Sequence, residues 1–125
     1  MPTEVEPKTL ALPPVADAPR RARHWASVIA EQWGWHDDYG DLALVVTELC
    51  SNALLHVGRP FVLTMRPDQG AMHVEVWDSS AAPPVRQLVS TGSPTGRGLS
   101  LVAQLAHWGW RSASGGKVVW ADLPA

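Results

Sequence analysis

The chain has 125 residues, of which 46% are hydrophobic, and its formal net charge at pH 7 is −2. This length fits one domain with a core of its own, and a charge so close to neutral gives no electrostatic argument for nucleic-acid binding. The single cysteine, Cys50, excludes an internal disulfide framework. The sequence shows no signal peptide and no membrane-spanning run, so we expect a cytoplasmic protein that makes no contact with a membrane.

Hydrophobic periodicity divides the chain into eight elements and one long loop. Residues 1–7 are expected to form a flexible N-terminus ahead of a single domain at 8–125. The stretch from 79 to 96 contains many Pro, Gly and Ser residues without periodicity, which predicts a loop. The predicted elements are a strand at 8–12, helices at 15–33 and 38–57, strands at 61–66 and 72–77, a helix at 97–108, and strands at 109–113 and 117–122. Helices beside antiparallel hairpins favour an α+β fold arranged as a two-layer sandwich.

Capping residues mark the ends of the first two predicted helices. Asp17 is suited to cap the first helix, and Pro19 fits its first turn. Asp37 and Asp38 can start the second helix, and Gly58 supplies its C-terminal stop. These signals delimit the second predicted helix.

The second predicted helix places three polar side chains on one ridge. Glu48, Asn52 and His56 lie four residues apart, and this spacing puts side chains on the same helix face. The ridge borders an apolar stripe, where polar groups are costly unless a partner satisfies them. A metal–phosphate ligand would use all three types, with the Asn52 oxygen suited to Mg²⁺ and Glu48 suited to accept a proton. The alternatives are a solvated carboxylate at Glu48, an amide bonded to the loop at Asn52, and an imidazole at His56 that complements the helix dipole.

Two further features follow this ridge along the chain. Asp78 ends the strand at 72–77, where its carboxylate could accept a hydrogen bond from the exocyclic amine of adenine. Guanine carries a carbonyl acceptor at that position, so the carboxylate would select adenine; a loop-capping aspartate is the alternative. The segment Thr95-Gly96-Arg97-Gly98-Leu99 opens the next predicted helix, where exposed N–H groups and close backbone approach favour phosphate. An ordinary loop-to-helix junction is the alternative for that segment.

The order of these three features resembles the GHKL (Bergerat-fold) family of ATP-binding domains. Within it, the chain is most similar to the small histidine-kinase-like proteins of actinobacteria, which resemble anti-sigma factor serine kinases. The resemblance covers residues from about 8 to 123 and implies a mixed, mostly antiparallel sheet. It also implies a site for ATP and Mg²⁺ in which Asn52 binds the metal and Glu48 is the catalytic base. The remaining nucleotide contacts that it implies are His56, Asp78, Gly96, Arg97, Gly98 and Leu99.

The loop after Asp78 departs from the family pattern. The usual glycine-rich segment is replaced by Ser79-Ser80-Ala81-Ala82-Pro83-Pro84. Glycines at this point let the backbone approach the base and sugar, so their loss bears on nucleotide affinity. The whole loop from 79 to 95 is interpreted as a lid over the nucleotide.

The resemblance implies an anti-sigma factor serine/threonine kinase, which phosphorylates an antagonist protein in a partner-switching system. The partners that it implies are this anti-sigma factor antagonist, a sigma factor bound in alternation, and a second copy of the chain in a homodimer. Two other functions stay open: a non-catalytic or degenerate ATP-binding module that sequesters a partner, and an ATP-hydrolysing switch. Trp35 and Trp110 are further candidates for a partner surface, because Trp is favoured at interfaces.

Overall fold

The computed structural model describes residues 5–84 and 98–124. All eight predicted elements are present in the predicted order: β1 (Lys8–Leu12), α1 (Ala18–Gln32), α2 (Asp41–His56), β2 (Phe61–Asp68), β3 (Ala71–Asp78), α3 (Gly98–Leu105), β4 (His107–Ala113) and β5 (Gly116–Leu123). The strands form one sheet in the order β1-β2-β3-β5-β4. All four pairings of these strands are antiparallel, whereas the family resemblance implies a mixed, mostly antiparallel sheet.

The sheet has one face covered by helices and one open face, as alternation along the strands requires. Leu63, Met65, Val74 and Val76 point toward the helices and are at most 1% exposed. The helix α2 contacts β2, β3 and β5, while α1 contacts α2 and β1. The helices therefore form a single layer over this face, which confirms the two-layer α+β prediction.

The start of α1 differs from the prediction. Asp17 occupies the N-cap position but makes no capping hydrogen bond with its side chain, so that prediction is wrong. Its backbone lies at φ −90° and ψ 2°, away from the extended conformation typical of a capping residue. Its carboxylate instead lies 3.9 Å from the guanidinium groups of Arg20 and Arg21. Pro19 sits in the first turn, as predicted.

The helix α2 is held at both ends by the predicted signals. The Asp37 carboxylate accepts hydrogen bonds from the backbone N–H groups of Leu42 at 2.9 Å and Ala43 at 3.1 Å. At the other end, Gly58 adopts φ 68° and its N–H donates to the Ala53 carbonyl, a left-handed stop that glycine permits. Like the other helices in the described part of the chain, α2 is neither long nor apolar enough to cross a membrane.

The helix α3 ends earlier than predicted. It stops at Leu105, whereas the apolar spacing predicts helix as far as Trp108. His107 and Trp108 instead begin β4, where they pair with Asp122 and Ala121 of β5. In this position Trp108 packs against the core while its backbone joins the sheet. The strand pairing supplies backbone hydrogen bonds in place of those of another helical turn.

Candidate functional site

The ridge on α2 forms as predicted. Glu48 and Asn52 are half-buried, and His56 lies exposed in the last turn. The helix packs against β3, the strand that ends at Asp78. Burial raises the pKa of the Glu48 carboxyl, because removal from water disfavours the charged form. A carboxylate with a raised pKa is a stronger proton acceptor, which is the property that a general base needs.

Asp78 is buried at the end of β3 and is already paired. It lies on the helix-covered face and is 1% exposed. Its Oδ1 accepts hydrogen bonds from the Lys117 ammonium and from the Ser80 backbone N–H, both at 2.9 Å. The bond from Ser80 is a loop-capping contact, the alternative role for this residue. Both described bonds end on Oδ1, so they do not test adenine recognition, which stays a prediction.

Lys117 is the functional candidate that the sequence interpretation missed. It is 3% exposed and lies directly opposite Asp78 in the β3–β5 pairing. The two strands approach closely here, since a Cβ on Gly116 would fall 1.8 Å from the Asp78 carbonyl oxygen. Lysine is almost never fully buried unless it is paired. The sequence did contain one signal for its burial. Lys117 lies on the same face of β5 as Val119 and Ala121, which point inward.

The segment after β3 is described in part. Ser79 Oγ is buried and has no hydrogen-bond partner among the described residues. A buried hydroxyl without a partner is unusual, and this one leaves a polar atom at the end of β3. The remainder of the predicted lid, with Gly96 and Arg97, lies outside the described residues. Gly98 is the first described residue of α3, whose predicted start is at 97, and its neighbour Leu99 belongs to the first turn.

The side chains present fit a nucleotide that carries Mg²⁺. The described residues contain no group of three or more His, Cys, Asp or Glu side chains that could hold a metal ion. Mg²⁺ bound to nucleotide phosphates does not need such a group, because it keeps several waters and takes one or two protein ligands. The Asn52 amide oxygen suits that role. The Ser79 hydroxyl, which has no partner among the described residues, is a further polar group at the end of β3.

A family model for the histidine kinase-like ATPase domain matches residues 12–122. The chain belongs to this family. The match begins at the end of β1 and ends within β5, so it contains the ridge on α2, Asp78, Lys117 and the segment 96–99. A search of curated proteins finds no match. Membership of the histidine kinase-like ATPase family confirms the recognised resemblance and implies an ATP-binding domain.

This histidine kinase-like ATPase domain also carries a polar cluster on the open face of its sheet, which the sequence interpretation missed. His73 donates through Nδ1 to Asp122 at 2.6 Å and through Nε2 to Glu75 at 2.8 Å. Two carboxylate acceptors on the two ring nitrogens require both protons, hence the imidazolium. The bond to Glu75 is the largest cause that raises the pKa of His73, and the bond to His73 likewise lowers the pKa of Glu75. The Trp120 ring stacks on the imidazole at 6.2 Å.

The two tryptophans proposed for a partner surface have different environments. Trp35 is partly buried against the core, and its Nε1 donates to the Gly70 carbonyl at 3.0 Å. Trp110 is 40% exposed and therefore accessible to a partner. Of the two, only Trp110 keeps the exposure that a partner surface needs.

Proposed function

We propose that this histidine kinase-like ATPase domain is a serine/threonine kinase that phosphorylates an anti-sigma factor antagonist and alternates between that antagonist and a sigma factor. The observation that carries the proposal is Glu48, a half-buried carboxyl whose pKa is raised by burial. It lies one helical turn before Asn52 on the helix that packs against β3. A kinase needs a proton acceptor beside its metal-binding residue, and these two residues supply that pair.

The proposed reaction needs few catalytic side chains, because phosphoryl transfer depends mainly on positioning and charge stabilisation. ATP supplies the γ-phosphoryl group: the bond from the γ-phosphorus to the β,γ-bridging oxygen breaks, and ADP leaves with its electron pair. A serine or threonine hydroxyl of the antagonist forms the new P–O bond. Glu48 accepts the proton of that hydroxyl. Asn52 would hold Mg²⁺, which would supply charge neutralisation at the phosphates.

The test is Glu48→Gln in a transfer assay. Purified protein is incubated with ATP labelled in the γ-phosphate, Mg²⁺ and a proteome fraction of the source organism, and labelled sites are assigned by mass spectrometry. Wild-type protein labels a serine or threonine of one small protein, and Glu48→Gln lowers that rate by roughly a hundredfold or more while nucleotide affinity is kept. Glu31→Gln, at an exposed position of α1, is the matched control and retains the wild-type rate.

Two outcomes contradict the kinase proposal. Equal labelling by wild type and Glu48→Gln would remove the base role from Glu48. Release of inorganic phosphate without a labelled protein would instead identify an ATP-hydrolysing switch.

A non-catalytic module that sequesters a partner is the second candidate, and the altered loop after Asp78 favours it. Ser79-Ser80-Ala81-Ala82-Pro83-Pro84 stands where the family carries a glycine-rich segment, and glycines there let the backbone approach the base and sugar. Partner binding that is unchanged by ATP, together with no labelled product, would select this second function.

A further inference from the structure

The Asp78–Lys117 pair lies at the point where the proposed site would contact a base. The two residues are register partners on adjacent strands, and their side chains are 1% and 4% exposed. Gly116 allows the close approach of the two strands beside them. The pair is therefore a fixed, desolvated donor–acceptor unit within the fold.

The Lys117 ammonium has more donors than its described contacts use. An ammonium carries three N–H donors and no acceptor, and among the described residues Asp78 Oδ1 is the side-chain acceptor within hydrogen-bond distance. A buried charged group is costly until its hydrogen-bonding capacity is met. The neighbouring Ser79 hydroxyl is buried and also lacks a partner in the described part of the chain. The Lys117 ammonium, beside Asp78, thus keeps hydrogen-bonding capacity for a ligand.

We propose that Lys117 reads the adenine base together with Asp78: Asp78 accepts from the exocyclic amine, and the Lys117 ammonium donates to ring nitrogen N1. This inference rests on the nucleotide site of the proposed function and adds a specificity-determining residue to it.

The acceptor of Asp78 and the donor of Lys117 match the amine and N1 on one edge of adenine. The amine and N1 are attached to the same ring carbon, so a base that donates to Asp78 presents its N1 acceptor beside the same carboxylate. The ammonium already lies 2.9 Å from Asp78 Oδ1. A carboxylate next to an ammonium thus offers an acceptor and a donor side by side, as the amine and N1 require. The same arrangement explains how Asp78 can be paired with Lys117 and still serve a base.

The test compares nucleotide analogues on the wild-type protein by calorimetric titration. In 1-deaza-ATP a C–H group replaces N1, so the acceptor is lost while the amine and phosphates remain. We expect its affinity to be roughly ten- to a hundredfold below that of ATP, the effect of losing a hydrogen bond to a charged group. The control analogue, 7-deaza-ATP, is altered on the other side of the purine and binds as ATP does. Equal affinities for ATP and 1-deaza-ATP, or equal losses with both analogues, would overturn the inference.

The variant Lys117→Met then assigns the effect to this side chain. With the ammonium removed, ATP and 1-deaza-ATP are expected to bind equally, and the exposed Lys8→Met variant keeps the wild-type preference. Continued preference for ATP in Lys117→Met would show that another group reads N1. If Lys117→Met does not fold, the wild-type titration can still overturn the inference, because equal affinities for ATP and 1-deaza-ATP would exclude any donor to N1.

The same titrations separate this inference from the proposed function. No binding of ATP at all would remove the nucleotide site and, with it, both proposals. Binding of ATP without discrimination against 1-deaza-ATP would leave the proposed function intact and overturn the role of Lys117 alone.

Discussion

Lys117→Met is expected to destabilise the protein, because it leaves the Asp78 carboxylate buried beside an apolar side chain. The two side chains are 4% and 1% exposed, so little water is available to replace the lost partner. Breaking a buried ion pair by removing one partner costs about 3–5 kcal/mol. Asp78 keeps the hydrogen bond from the Ser80 N–H, so we expect a loss of stability at the lower end of this range, about 3 kcal/mol. For a domain of this size, that loss lowers the melting temperature by roughly 10 °C.

The assay is thermal and denaturant unfolding followed by circular dichroism, without nucleotide. The matched control is Lys8→Met: Lys8, the other of the two lysines in the sequence, is exposed on β1 and should change stability by less than about 0.5 kcal/mol. The double variant Lys117→Met with Asp78→Asn removes both charges and should recover much of the lost stability. A Lys117→Met protein as stable as Lys8→Met, or a double variant no better than the single one, would refute the reasoning.

Two further predictions concern the open face of the sheet and the core. His73→Gln should cost more stability at pH 6 than at pH 9, as measured by denaturant unfolding at each pH. The pKa of His73 is raised above 6.5 in the folded protein, so its stabilisation is present below that value and is lost as the pH rises through the folded pKa; an equal cost at both pH values would contradict this. Leu49→Ala should lower the free energy of unfolding by about 2–5 kcal/mol, because Leu49 is 2% exposed in the core. Leu55→Ala on the same helix is the control, since Leu55 is 57% exposed, and equal losses in the two variants would argue against the observed orientation of α2.

Local sequence patterns were sufficient to predict most of the fold. Apolar alternation and helical spacing placed all eight elements, and the Asp37 and Gly58 signals located the ends of α2. They failed where tertiary pairing decides the outcome. The end of α3 was placed too late, because pairing with β5 takes His107 and Trp108 into β4.

The candidate site was predictable only where its residues lie on one element. The spacing along α2 is a local property, so the ridge with Glu48 could be predicted. The partner of Asp78 could not, because Lys117 is 39 residues away and reaches it through the register of β3 and β5. The contact of His73 with Asp122 also depends on strand register across 49 residues. Such pairs become visible only when the order of the strands is known.

The measurement that tests the central claim most directly is calorimetric titration with a nonhydrolysable ATP analogue, with and without Mg²⁺, on wild type and Asn52→Ala. The account predicts binding that Mg²⁺ strengthens in the wild type, and loss of this Mg²⁺-dependent binding in an Asn52→Ala protein that remains folded. Unchanged affinity in Asn52→Ala would contradict the assignment of the metal-binding residue. No binding to the wild type at millimolar nucleotide would contradict the nucleotide site itself.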